Sequence, residues 1–217
     1  MSAAGRRYQV KSVFGPTVQG EGPRAGAPCL FVRLAGCNAW DGRPETRAAS
    51  ACPYCDTEFR GGEALDWNGI AARLAGLMPG GHRHLGCVLS GGEPLLQADA
   101  DLLAALGAAF AWVDIETNGT RPIPPRPANV AVSCSPKAVP GQPIVAAPDW
   151  WKILIPAQER FLDQALASGV PVFVQPVCPD HGPSGPAYAA ALARCLELCY
   201  RHGCRISVKL HKTLGLP

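Results

Sequence analysis

The chain has 217 residues, 47% of them hydrophobic, and a formal net charge of +3 at pH 7. This length and apolar content predict one sizeable core in a single domain over residues 1–217, and so mild a charge argues against nonspecific nucleic-acid binding. The first residues lack the apolar stretch of an export signal, and no run approaches the roughly 18–20 apolar residues of a membrane span. The ten cysteines are therefore expected as reduced thiols in a cytoplasmic protein.

In chain order, "CLFVRLAG" (29–36) is the first expected buried strand. "LDWNGIAARLAGLM" (65–78) reads as a helix with Ile70, Leu74 and Leu77 on one face and Asp66 as its cap. Next come a strand in "CVLSGG", a helix across "PLLQADADLLAALGAAF" (94–110) and strands in "WVDIETNG" and "VAVSCSP". The intervening "RPIPPRPANV" is a loop, because proline removes backbone donors that a helix needs. "WKILIP" and "VPVFVQPV" predict strands around a helix in "ERFLDQALASG", which ends at Gly169. A helix in "AYAAALARCLELCYRHG" ends at Gly203, and "RISVKLH" (205–211) is expected as the last strand. Trp150 and Trp151 read as packing residues.

Strands alternating with helices predict parallel βαβ units in a sheet of about six strands. Polar groups then gather at the C-terminal strand ends. Those ends carry Ser90 to Glu93, Glu116 to Asn118, Ser133 to Lys137, Gln175 and the pair His211 and Lys212.

Cys37, Cys52 and Cys55 stand in a C-x14-C-x2-C loop (37–55). A structural zinc site wants four ligands. Three thiolates can instead hold three irons of a [4Fe–4S] cluster and leave the fourth iron open. Zinc with three cysteines and a water is the rival, as is zinc with His82 or His84 as fourth ligand. Cys195, Cys199 and Cys204 could seed a second cluster, although free cysteines are commonly buried small hydrophobes. Cys29, Cys87, Cys134 and Cys178 get that plainer reading.

The ordered set "TVQGEG", "FVRLAGCN", "CPYCDT", "SGGEP", "ETNGT", "SCSPK", "FVQP" and "LHK" resembles the radical S-adenosylmethionine superfamily. More closely, it resembles the 7-carboxy-7-deazaguanine synthase family of the queuosine pathway. The superfamily spacing is C-x3-C-x2-C, so "AWDGRPETRAAS" reads as an insert that loops out between converging sulfurs. The resemblance implies an incomplete parallel (β/α)6-type barrel. It also implies a [4Fe–4S] cluster on Cys37, Cys52 and Cys55, S-adenosylmethionine, and Mg²⁺ at Thr57, with Asp56 alternatively capping a turn.

By the same resemblance, Tyr54, Asp56, Gly91, Gly92, Glu93, Ser133, Ser135, Lys137 and Gln175 bind the cofactor. Val18, Gln19, Gly20, Glu21, Arg33, Ser90, Thr117, Asn118, His211 and Pro217 bind the substrate, 6-carboxy-5,6,7,8-tetrahydropterin. Arg33 suits a carboxylate through its planar fork, and a structural ion pair is its alternative. Leu214 and Leu216 are expected to cover the pterin. The implied partners are a flavodoxin- or ferredoxin-type electron donor and a second copy of the chain. A glycyl-radical activase, a zinc module and an RNA-interaction protein are the competing classes.

Overall fold

The computed structural model describes residues 5–179 and 182–217. Nine strands form one open sheet in the order β3-β1-β2-β4-β5-β6-β7-β8-β9. They are β1 Tyr8–Val18, β2 Pro28–Leu34, β3 Glu63–Leu65, β4 Gly86–Gly91, β5 Trp112–Thr117, β6 Val130–Cys134, β7 Trp150–Ile155, β8 Val172–Pro176 and β9 Arg205–Ile206. From β2 to β9 every neighbouring pair is parallel. β1 runs antiparallel to both β2 and β3. The sheet is not closed, as an incomplete barrel requires.

Three expectations are corrected. The sheet has nine strands, since β1 and β3 carry no clear apolar alternation; β1 pairs through two register shifts that break its period. The stretch 94–110 is two elements, a 3₁₀ turn at Pro94–Leu96 and helix α2 at Ala100–Ala109. Asp99 separates them, accepting from Leu102 N at 2.9 Å as the α2 cap. The last strand covers only Arg205 and Ile206, and helix α5, Leu210–Leu214, follows. The Ser207 hydroxyl turns in to donate to Gln175 Oε1 at 2.8 Å, and Gly215 caps α5 at φ +66°.

Residues on the two strand faces have separate work. Leu30, Val32, Leu89, Val113, Ile115 and Val132 face helices α1 (Trp67–Leu77) and α2 in one core cluster. Ile153, Ile155 and Val174 pack with helix α3 (Leu162–Ala167) and helix α4 (Pro186–His202) in a second cluster. Asp66 caps α1 from Gly69 N, and Ile70 and Leu74 are its buried face. Because strand side chains alternate, the intervening residues Phe31, Arg33, Val88, Ser90, Glu116, Lys152, Leu154 and Gln175 face a cavity on the concave side.

Trp151 is in the second core cluster, and Cys195 is buried there with Cys199 and Cys204 packed against it. Cys29, Cys87, Cys134 and Cys178 are buried free thiols. Among the described residues no helix is long and apolar enough to cross a membrane.

Candidate active site

A cavity of about 400 Å³ opens at the C-terminal ends of the parallel strands. The cysteine loop forms one wall: Cys37, Cys52, Tyr54, Cys55, Asp56 and Thr57 all line it. Cys52 packs with Ala39 and Val139 in a small apolar cluster, with Cys37, Tyr54 and Cys55 against it. The hydrogen bond between the two C-x-x-C thiols lowers Cys55 and raises Cys52, so Cys55 is the more acidic of the pair. Burial pushes the Cys37 thiol up.

Gly91 and Gly92 hold this loop against the sheet. Gly91 lies at φ +144°, and a Cβ there would meet Leu34 O at 2.0 Å. A Cβ on Gly92 would lie 2.1 Å from Gly36 O and 2.7 Å from Cys37 Cβ. Only glycine lets β4 end this close to the first cysteine.

Glu93 does not line the cavity. It is fully buried and accepts from Leu95 N at 3.0 Å, Thr117 Oγ1 at 2.8 Å and Asn118 N at 2.6 Å. Burial raises its carboxyl, and the Asn118 and Thr117 bonds oppose that. Glu93 thus joins the ends of β4 and β5, a positioning geometry, where the resemblance implied a residue that binds the cofactor directly. Thr117 and Asn118 remain at the cavity edge. Asn118 Nδ2 also donates to Asn38 Oδ1 at 2.8 Å, which ties the cysteine loop to β5.

Lys137 is buried, and among the described residues it has no carboxylate partner. Its Nζ donates to Ser135 O at 2.9 Å and Ser135 Oγ at 3.3 Å, and lies 5.7 Å from the Tyr54 ring centroid. Burial lowers its pKa. Gln158, which sequence reasoning missed, links the group: it accepts from Ser135 Oγ at 3.2 Å and donates to Tyr54 Oη at 3.2 Å. Ser133 lies outside the lining, with a buried hydroxyl that has no partner among the described residues.

Across the cavity, Arg33 stands over the Phe14 ring at 5.0 Å, and Phe14 stacks on Phe31. Its Nε is buried and unpartnered, and burial lowers its pKa. Among the described residues it makes no ion pair, although the charges of Asp56 and Cys55 act on it.

Glu21 accepts from Lys152 Nζ in a short contact and from Gln175 Nε2 at 3.1 Å, and pairs with Lys209 Nζ at 3.9 Å. Burial alone would raise Glu21, but Lys152 and then Lys209 carry it well below the carboxylate range. Gln175, expected on the cofactor, is therefore engaged on the Glu21 side. Gln19 Oε1 accepts from Glu21 N at 3.3 Å. Lys152 also contacts Glu116; Glu116 stood among the polar strand-end residues of the sequence, whereas Lys152 was not a sequence candidate. A lysine inside the apolar run "WWKILI" was the available signal.

The C-terminal segment closes the mouth. Leu210 N donates to Gly20 O at 3.0 Å, Leu216 N to His211 O at 2.9 Å and Thr17 Oγ1 to Pro217 O at 3.1 Å. His211 fills the space over Gly20, where a Cβ would lie 1.8 Å from His211 Nδ1. Burial lowers the His211 pKa, which favours its neutral form. His211, Leu216 and Pro217 line the cavity; Val18, Gly20 and Leu214 do not, and Leu214 is exposed. Lys209 and Lys212, the latter at 2.8 Å, pair with Asp56 across the mouth. They hold Asp56 far below its usual range against the opposing effect of burial. Asp56 therefore serves as a tie between the cysteine loop and α5.

Among the described residues no three His, Cys, Asp or Glu side chains are grouped as ligands of one metal ion. His82 stacks on Phe110 ahead of β4, at the end of the sheet away from the cysteines. It does not supply a fourth zinc ligand. The donor chemistry of the loop, three thiols around one cavity with one acidic member, fits a cluster that spreads its thiolates over several irons. The buried Lys137 and its Ser135–Gln158–Tyr54 surround fit a cofactor that carries a carboxylate and hydroxyl groups beside it. Thr57 offers a hard cation one neutral oxygen, because the adjacent Asp56 is already paired.

No protein-family model matches the chain. A 7-carboxy-7-deazaguanine synthase of Burkholderia multivorans is 39% identical over 219 residues, covering 97% of this chain and 99% of its own length. The enzymes of that name from Bordetella pertussis and Caulobacter vibrioides are 37% and 36% identical with the same coverage. Among solved structures, QueE from Escherichia coli matches the fold with a TM-score of 0.71 at 24% identity, over 94% of this chain and 95% of that one.

Proposed function

The chain belongs to the 7-carboxy-7-deazaguanine synthase family, and from that membership we propose that it converts 6-carboxy-5,6,7,8-tetrahydropterin to 7-carboxy-7-deazaguanine with release of ammonia, in queuosine biosynthesis. The observation that carries the substrate assignment is Arg33. A buried guanidinium with an unpartnered Nε, aimed into a cavity, is matched by a ligand carboxylate. Phe14 and Phe31 supply an apolar wall for a flat ring. Gln19, Glu21 and neutral His211 supply the hydrogen-bonding edge that a pterin needs.

Cys37, Cys52 and Cys55 would hold the [4Fe–4S] cluster. Ser135 and Lys137 would hold S-adenosylmethionine, with Tyr54 beside them. Cluster and cofactor, when bound, supply one-electron hydrogen abstraction. The chain's own part is positioning. Arg33 orients the substrate carboxylate, and the Asp56–Lys209–Lys212 tie and α5 cover part of the mouth, which limits the access of water. Mg²⁺ at Thr57 would complete its shell with substrate and water oxygens. A flavodoxin- or ferredoxin-type donor would approach through the separate cleft lined by Trp40, Asp41, Arg60 and Gln97, which also reaches Cys37. A homodimer belongs to the same reading.

The test replaces each of Cys37, Cys52 and Cys55 by Ala and measures iron, sulfide and pterin turnover after anaerobic reconstitution. Each replacement is expected to lose the brown cluster of about four irons and all turnover, while Cys195→Ala and Cys199→Ala keep both. Full iron loading without Cys37 would sink the assignment of the C-x14-C-x2-C loop.

A further inference from the structure

Lys152 is the cavity residue with the least ordinary surroundings. It lies in the middle of β7, with only 8% of its side chain exposed, and its Nζ bridges Glu21 and Glu116. Both carboxylates and the ammonium line the cavity. Their environments differ. Glu21 is shared among Lys152, Gln175 and Lys209. Glu116 has Lys152 as its single partner, on Oε2, and among the described residues its Oε1 makes no hydrogen bond. A buried lysine costs several kcal/mol of desolvation unless paired, and one carboxylate would pair it. Two carboxylates, one of them left with an open oxygen toward the ligand space, form an acid and a base in direct contact.

We infer that Lys152 and Glu116 form the proton relay that expels ammonia from the ring-contracted substrate. The inference rests on the proposed function above. Substrate and product of that reaction differ by one molecule of ammonia, with no net oxidation, so the last stage is an elimination. In it the C–N bond breaks with its electron pair going to nitrogen, and the departing amine takes the proton of Lys152 to leave as ammonia. The neighbouring C–H bond breaks, its pair becomes the new ring double bond, and Glu116 takes that proton. Proton transfer from Glu116 to Lys152 along their hydrogen bond restores both groups. Glu21, which accepts a hydrogen bond on each oxygen and has Lys209 as a second cation, holds the lysine in place and takes no proton.

The test uses the anaerobically reconstituted enzyme, substrate deuterated at C6, and the variants Glu116→Gln and Lys152→Gln. Deuterated 5′-deoxyadenosine reports hydrogen abstraction, and ammonia and 7-carboxy-7-deazaguanine report elimination. The ratio of 5′-deoxyadenosine formed to ammonia released should rise about 100-fold or more in each variant, the usual scale of a lost general acid or base. Titration of the pterin into cluster-free protein should show binding within about tenfold of the unsubstituted protein, about 1.4 kcal/mol. Should Lys152→Gln fail to fold, Glu116→Gln decides, since its amide keeps the carboxylate's shape. An unchanged ratio in Glu116→Gln, or abstraction and ammonia release falling together, overturns the relay. Failure of the unsubstituted enzyme to turn over the pterin overturns the functional reading itself, an outcome visible before any variant is made.

Discussion

Arg33 shows how much one residue can say about a ligand. It sits on β2 beside Ser90 of β4 in the parallel register, and the inward face of that strand presents it to the cavity. Among the described residues no carboxylate forms an ion pair with it. Arg33→Ala should therefore weaken pterin binding by roughly 2–5 kcal/mol, as for a buried charge pair that loses one partner. Cleavage of S-adenosylmethionine without substrate should persist, because the cysteine loop is untouched. Calorimetry and 5′-deoxyadenosine assays separate the two; unchanged pterin affinity removes Arg33 from the site. Arg33 was legible because its motif is specific. Lys152 and Gln158 were not, since each is a polar residue whose role appears only when distant strands converge. Lys152 meets Glu21 from 131 residues away, and no local pattern encodes that meeting. Glu93 was legible as a site residue but not as a buried joint between β4 and β5.

At the scale of elements, the parallel strands and helices α1 and α4 were readable from apolar periodicity and capping residues. The end of the chain was not. "RISVKLH" alternates like a strand, yet it leaves the sheet after Ile206 because Ser207, Lys209 and Lys212 find polar partners inward. Those lysines convert α5 into a cover. The double variant Lys209→Met/Lys212→Met leaves Asp56 without cations and frees the cover from the cysteine loop. Its pterin KM should rise by about tenfold, or about 1.4 kcal/mol, with iron content unchanged. Hydrogen exchange should speed up in residues 209–216. An unaltered KM beside faster exchange would show that the cover moves without serving the substrate.

For the whole molecule, the open sheet poses a stability problem that its interior charges answer. β1, β5 and β7 are not all neighbours, yet Glu21 just beyond β1, Glu116 on β5 and Lys152 on β7 meet across the concave face. The sign of the linkage follows from the shifts. Glu21 is lowered from 4.5 to about 2, so its contribution is present above pH 4.5 and is lost as pH falls toward 2. Lys152 is raised above its ordinary 10.5, so its contribution is present below pH 10.5 and is lost only as pH rises through the higher folded value. The network therefore stabilises the fold most between those limits. Lys152→Met removes the shared cation. Lys209 still stands 3.9 Å from Glu21, so Glu116 bears most of the loss. Near pH 7 the variant should be less stable by about 3–5 kcal/mol, the cost of breaking a buried pair on one side. That deficit should shrink as pH falls below 4.5, because the intact network then loses the contribution of Glu21 and is itself failing. Urea unfolding of both proteins from pH 7 to pH 3 measures the gap. A deficit that stays constant over that range would mean that the lysine contributes through the packing of its methylene stem along β7, with no part played by the charges it bridges.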